Sequence, residues 1–364
     1  MPALKQLSIA SFGTAVISLG AVAPANAAAF YNITGLDFLP SDINDKGEVV
    51  GEQYLWQAGK VTDLTTLPGA NGSPISATAI NNNGKIVGGG LNVGNFSEQA
   101  FISDGKSISD LPRNYFCDES ACPSITAQDI NDLGTVSLNY DGRIGLIQTS
   151  DGNTTELVVA RGLFNININD KNQVASTGIY SGIGIKGGSG GDNFLTPATD
   201  NPEDPLLYVY TTVANDINDS GDIVGRSSNS ISSSSELATL WEDVSLPGFS
   251  LGSLGGDSSD ALGINNAQQI VGASSLADSS LEHAFLWEDG ELVDLNTLID
   301  SASGWELTSA VEINENGDII GIGNFNGEQR GFVAKPVPEP TSTLGMLGLG
   351  VFGLVSWRKR RVKR

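Results

Sequence analysis

The sequence predicts an all-β fold: a seven-bladed β-propeller of four-stranded blades, closed by the N- and C-terminal strands, with a helical membrane segment at the C-terminus. Three observations carry this. A ten-residue motif occurs seven times, a second hairpin signal follows most copies, and the two ends of the repeat region supply the parts of one incomplete unit.

The motif is clearest as DINDSGDIVG, beginning at Asp216. Its copies begin at residues 42, 79, 129, 167, 216, 263 and 312, about 45 residues apart, which marks a repeat architecture. Each joins two short apolar runs through Asn, a polar pair and usually Gly. The turn positions are Asn44 and Gly47, Asn81 and Gly84, Asn131 and Gly134, Asn218 and Gly221, and Asn314 and Gly317. An Asn side chain can bond backbone two residues on, and Gly takes positive φ cheaply, so the motif reads as a hairpin turn.

The second signal is HAFLWEDGELVDLNTL from His283, with relatives from Tyr54, Ala100 and Ala238. Apolar runs flanking Asp-Gly or Ala-Gly make another hairpin, so one repeat holds four short strands. Four strands per repeat, seven times, is the pattern of propeller blades. FYNITGLDFL from Phe30 reads as a fourth strand arriving before any complete repeat, and GFVA at Gly331–Ala334 as a third strand lacking its fourth. Shared between them, these segments complete a seventh unit and hide strand edges. An open β-solenoid is the competing architecture. With His283-Ala284-Phe285, INxxGxIVG and DLxxL, the body resembles the HAF-type extracellular repeats of bacteria, although Gln99-Ala100-Phe101 and Arg330-Gly331-Phe332 depart from the triplet. That resemblance implies no activity, and His283 belongs to a strand start.

The ends predict destination. Lys5, an apolar stretch and small residues at Ala25 and Ala27 read as a secretory signal peptide over 1–27, for removal by signal peptidase. The repeat body then spans 28–336, and a terminal signal spans 337–364. The latter has the motif VPEP at 337–340, an uncharged segment at 341–357 and a basic tail at 358–364. Seventeen helical residues reach about 26 Å, enough for a thin hydrocarbon core, and the basic tail favours the cytoplasmic side. An ordinary single-span anchor is the plain alternative. The order of elements, with Pro338, Glu339 and Pro340, resembles the PEP-CTERM sorting signal of bacteria. The resemblance implies a transient inner-membrane tether, removal by an exosortase-type enzyme, and a final place at the cell surface or in the exopolysaccharide and biofilm matrix.

Composition excludes one class of partner. Removing Lys5, six basic tail residues and Glu339 from the chain's 19 Lys+Arg and 42 Asp+Glu leaves 12 against 41, a body charge of −29. Such a surface repels nucleic-acid phosphates. Cys117 and Cys122 are the two cysteines, and in an exported chain so close a pair reads as a local disulfide. With His283 the single histidine, no independent Ser-His-Asp or Cys-His arrangement can be assembled.

No catalytic residue and no cofactor are expected. A single histidine excludes zinc or copper sites built on several imidazoles, and calcium is the candidate metal, with Asp216, Asn218, Asp219 and Asp222 as hard oxygen donors. The copies vary their acids while keeping Asn and usually Gly, which favours a turn over a metal loop. Trp56, Trp241 and Trp287 occupy equivalent strand positions and are assigned to the core. The function expected is non-enzymatic binding or scaffolding, with exopolysaccharide or surface proteins as partners. A polysaccharide hydrolase or lyase using paired carboxylates is the alternative.

Overall fold

The computed structural model describes residues 30–91, 99–111, 124–140, 143–150, 153–161, 163–178, 182–185, 193–194, 212–228, 235–243, 246–277 and 281–337. The expected signal peptide, the Cys117–Cys122 pair, Pro338–Pro340 and the segment 341–357 lie outside these residues.

Seven antiparallel sheets of four strands each account for the strands. In six of them the strands lie in chain order. One example runs Thr212–Ile217, Ile223–Ser228, Glu236–Trp241, Phe249–Gly252. The remaining sheet begins with Trp305–Ile313, Ile319–Phe325 and Glu328–Pro336, and takes Tyr31–Leu36 as its fourth strand. Tyr31 pairs there with Pro336 and Leu36 with Gly331. The Val337 N–H continues the contact by donating to the Phe30 carbonyl at 2.7 Å.

These observations correct the expected fold. Strands pair only within each four-stranded unit, so the β-structure is seven separate small sheets and not a closed propeller. The described residues contain no α-helix, only the 3-10 turns Leu64–Thr66 and Leu295–Leu298, and no helix long and apolar enough to cross a membrane. The expected membrane helix at 341–357 lies outside the residues searched. The overreach has a physical source: a repeat period specifies the repeated unit, whereas contacts between units depend on side chains that the period does not encode.

Between the sheets, apolar faces meet. Val50 and Leu55 pack with Ala77, Ile80, Ile86 and Phe101 of the next sheet. Val224, Ala238 and Leu240 pack likewise with Ala261, Ile264 and Phe285. Trp56, Trp241 and Trp287 are buried in these layers. The glycine ending the IVG run is required by close approach. A Cβ on Gly272 would lie 2.0 Å from the Asp260 carbonyl oxygen, and one on Gly321 2.2 Å from that of Ser309. These carbonyls stand close because each first strand carries a bulge there, between Ala261 and Gly263 and between Ala310 and Glu312.

The turn glycines answer a different demand. Gly47, Gly84, Gly134, Gly221 and Gly317 all have φ between 69° and 93°. Copies lacking Gly keep the conformation, with Asn172 at φ 57° and Gln268 at 59°. At Gly317 an added Cβ would meet nothing nearer than Gln269 Oε1 at 3.7 Å. Gly317→Ala is therefore expected to cost about 1–2 kcal/mol through backbone conformation alone. A urea-unfolding midpoint measured beside wild type checks this, and an unchanged midpoint would refute it.

Candidate functional site

The seven loops come together around a polar cavity of ≈ 410 Å³. Within each loop the Asn at the third motif position organises the turn. Asn44 Oδ1 accepts from the N–H groups of Lys46 and Glu48, and Gly47 N–H donates to the Asn44 carbonyl. The same side chain then reaches outward. Asn44 Nδ2 donates to the Asn81 carbonyl, Asn81 to Asn131, Asn131 to Asn169, Asn169 to Asn218, Asn218 to Asn265, Asn265 to Asn314, and Asn314 back to Asn44. The seven distances are 2.8–3.2 Å, and all seven side chains are buried.

The fourth position builds a parallel cycle. The backbone N–H of Asp45 donates to the side-chain oxygen of Asn82, and the step repeats through Asp132, Asp170, Asp219, Asn266 and Glu315 before returning to Asp45. Side-chain-to-backbone bonds thus link neighbouring loops where strand ladders do not.

The first position carries the cavity's charge. Around the loops it reads Asp42, Ala79, Asp129, Asn167, Asp216, Gly263 and Glu312. Asp42 accepts from its own neighbour, Ile43 N–H at 2.7 Å, and from Ile80 N–H of the next loop at 2.6 Å. Asp129 does the same with Ile130 and Ile168, and Asp216 with Ile217 and Ile264. One carboxylate has two oxygens and serves two loops, so the loop after each Asp needs no acid of its own. Seven is odd, so strict alternation fails at one place. Glu312 occupies it and accepts from Ile313 N–H alone.

Confinement in the cavity raises these acids. Loss of bulk water pushes Asp42 up to about 7, with the Asp129 charge adding to it and the Ile80 and Ile43 N–H groups opposing. Asp216 rises to about 7 and Asp129 to about 6, burial again being the main cause. Glu312 is held well above the usual carboxylate range by burial and by the charges of Asp216 and Asp42.

The calcium candidates are engaged with protein donors. Asp216 spends both oxygens as above, and Asp219 accepts from Asp170 N–H and Asn266 Nδ2. Asn218 Oδ1 accepts from Asp222 N–H, and Asp222 Oδ2 accepts from Asn218 Nδ2 and Gln268 Nε2. Among the described residues no group of three or more His, Cys, Asp or Glu is arranged to hold a metal ion. His283 stands apart from the cavity, its Nδ1 2.7 Å from Asp294 Oδ2.

A second pocket, of ≈ 520 Å³, lies on the sheet that joins the two ends of the body. Trp305 and Phe325 form its aromatic wall, with ring centroids 5.1 Å apart and tilted by 37°. Sequence reasoning on the repeat alone misses this pocket, although the sequence carries a signal for it. Seven residues before the loop, where Trp305 stands, copies one, two and six carry Gly35, Gly72 and Gly256.

An all-β body of seven linked sheets, carrying an acidic cavity and an aromatic pocket, is the class that the geometry defines. A PEP-CTERM protein-sorting motif matches residues 336–361, within two residues of the expected start at 337. This motif supports an exported surface protein sorted by an exosortase-type enzyme. No curated protein matches the chain. Among solved structures, the crystal structure of Porphyromonas gingivalis dipeptidyl peptidase 4 aligns at 8% identity and TM-score 0.40, covering 82% of this chain and 53% of that one. This chain thus spans about half the length of that peptidase structure. A hypothetical protein from Leishmania major aligns at 9% identity and TM-score 0.23, covering 87% of this chain and 89% of that one. Similarity this slight carries no argument about activity.

Proposed function

We propose that this protein is a non-enzymatic surface protein that binds or scaffolds exopolysaccharide in the matrix around the producing cell. The sorting motif supports the surface part of this reading. The observation that carries the non-enzymatic part is how the cavity acids are used. Asp42, Asp129 and Asp216 each commit both oxygens to backbone N–H groups. A glycosidase acid or base instead needs an oxygen available to the glycosidic oxygen, the anomeric carbon or water.

The hydrolase or lyase reading has one observation in its favour, since raised carboxyls are also typical of catalytic acids and Glu312 has the fewest backbone partners. Mature protein incubated with exopolysaccharide from the producing cells separates the two. Co-sedimentation without release of reducing ends or unsaturated sugars is expected. Release of either that is lost in Glu312→Gln would replace this proposal with the enzymatic one.

A further inference from the structure

We propose that the pocket beside Trp305 binds a neutral saccharide; this deepens the matrix-binding reading and rests on it. The indole of Trp305 stands against the bare backbone of two strands. A Cβ on Gly35 would come within 3.2 Å of Trp305 Cζ2, and one on Gly323 within 3.3 Å of Cε3. Phe332 meets the indole edge-on at 6.1 Å, fixing its orientation. The ring is thus a held platform, only partly buried, with Phe325 tilted beside it. An aromatic face is electronegative at its centre and attracts the C–H face of a pyranose, which carries the opposite partial charge.

The rim supplies hydroxyl partners. Asn32, Asp300, Ser303 and Arg330 line the same pocket, so donors and acceptors surround the aromatic floor. A pocket of ≈ 520 Å³ falls in the range that small-ligand sites occupy. Charge then selects the kind of sugar. Arg330 already pairs with Asp37 at 3.2 Å and Glu328 at 3.4 Å, and Asp300 adds a further carboxylate. Arg330, the one cation among the described residues lining the pocket, is outnumbered, and the whole body is acidic, so an anionic sugar would meet net repulsion. A neutral, hydroxyl-rich ring meets no such penalty.

Calorimetric titration of the mature protein with neutral glucose, mannose and galactose tetrasaccharides, and with a tetra-uronate, tests the proposal. Saturable binding of at least one neutral tetrasaccharide is expected, with the uronate at least tenfold weaker. Trp305→Ala should weaken binding at least tenfold. Because that change also removes packing on Phe332, Asn32→Trp serves as the second variant, filling the pocket from an exposed strand position. It should abolish binding with an unchanged melting temperature. Wild-type affinity in the folded Asn32→Trp variant, stronger binding of the uronate, or no saturation by any neutral tetrasaccharide at millimolar concentration would overturn the site. If native exopolysaccharide still co-sediments in those cases, only the site fails. If it does not, the matrix-binding reading fails too.

Discussion

Asn314→Ala is expected to destabilise the protein by about 3–5 kcal/mol. Its Oδ1 accepts from Asn316 and Asp318 N–H, and its Nδ2 donates to the Asn44 carbonyl at 2.9 Å. Three hydrogen bonds contribute about 1 kcal/mol each, and the buried partners left behind add a desolvation penalty of about 1–3 kcal/mol apiece where water cannot reach them. The position also matters topologically, because this bond joins the last loop to the first. Asn316→Ala is the control. That residue is exposed and donates one side-chain bond, to the Asp45 carbonyl, so the expected loss is below about 1 kcal/mol. Equal losses in the two variants, read from urea unfolding, would contradict the account.

The second large effect is on pH. Carboxyls raised in the folded protein bind more protons there than in the unfolded chain over the interval between the two pKa values. Their contribution to stability is complete below the unfolded value, near 4, and is lost as pH rises through the folded values of about 6 to 7. Stability is therefore expected to fall between pH 5 and pH 8, by a few kcal/mol in total. Each tenfold difference in proton affinity contributes on the order of 1 kcal/mol, reduced by solvent in the cavity. Self-repulsion of so acidic a chain has the same sign. Asp42→Asn should flatten the slope whatever it does to absolute stability, since the neutral amide cannot titrate. Unfolding midpoints that rise from pH 5 to pH 8 would show that the cavity acids are not raised.

How much of this is legible in the sequence differs from residue to residue. The strands are, because Ile-Val-Gly runs and Asn-x-x-Gly turns encode local geometry and recur. The closed propeller is not, because it adds to a statement about repeated units a statement about what lies between them. Asn44 and its equivalents read as turn formers, and the turns are there. Their second use, donating to the next loop, cannot be seen in the letters, since it depends on residues 37–50 positions away and, from Asn314 to Asn44, 270 away. The alternation of Asp42, Ala79, Asp129, Asn167, Asp216 and Gly263 is visible as letters. It acquires meaning only when each carboxylate is seen to span two loops. Trp305 is the clearest missed signal, because a bulky ring stands where three of the other copies have glycine.

The sheet shared by Tyr31–Leu36 and Glu328–Pro336 bears on timing. Its partners are roughly 300 residues apart in the chain, and an exported polypeptide crosses the membrane from its N-terminus. The first strand reaches the far side early and waits for a partner about 300 residues later, a long-range pairing of the slow kind. A chain interrupted before residue 328 leaves that strand with an open edge, the form most exposed to proteolysis and aggregation. Completion of this one sheet thus reports that the body has been translocated as far as the sorting motif.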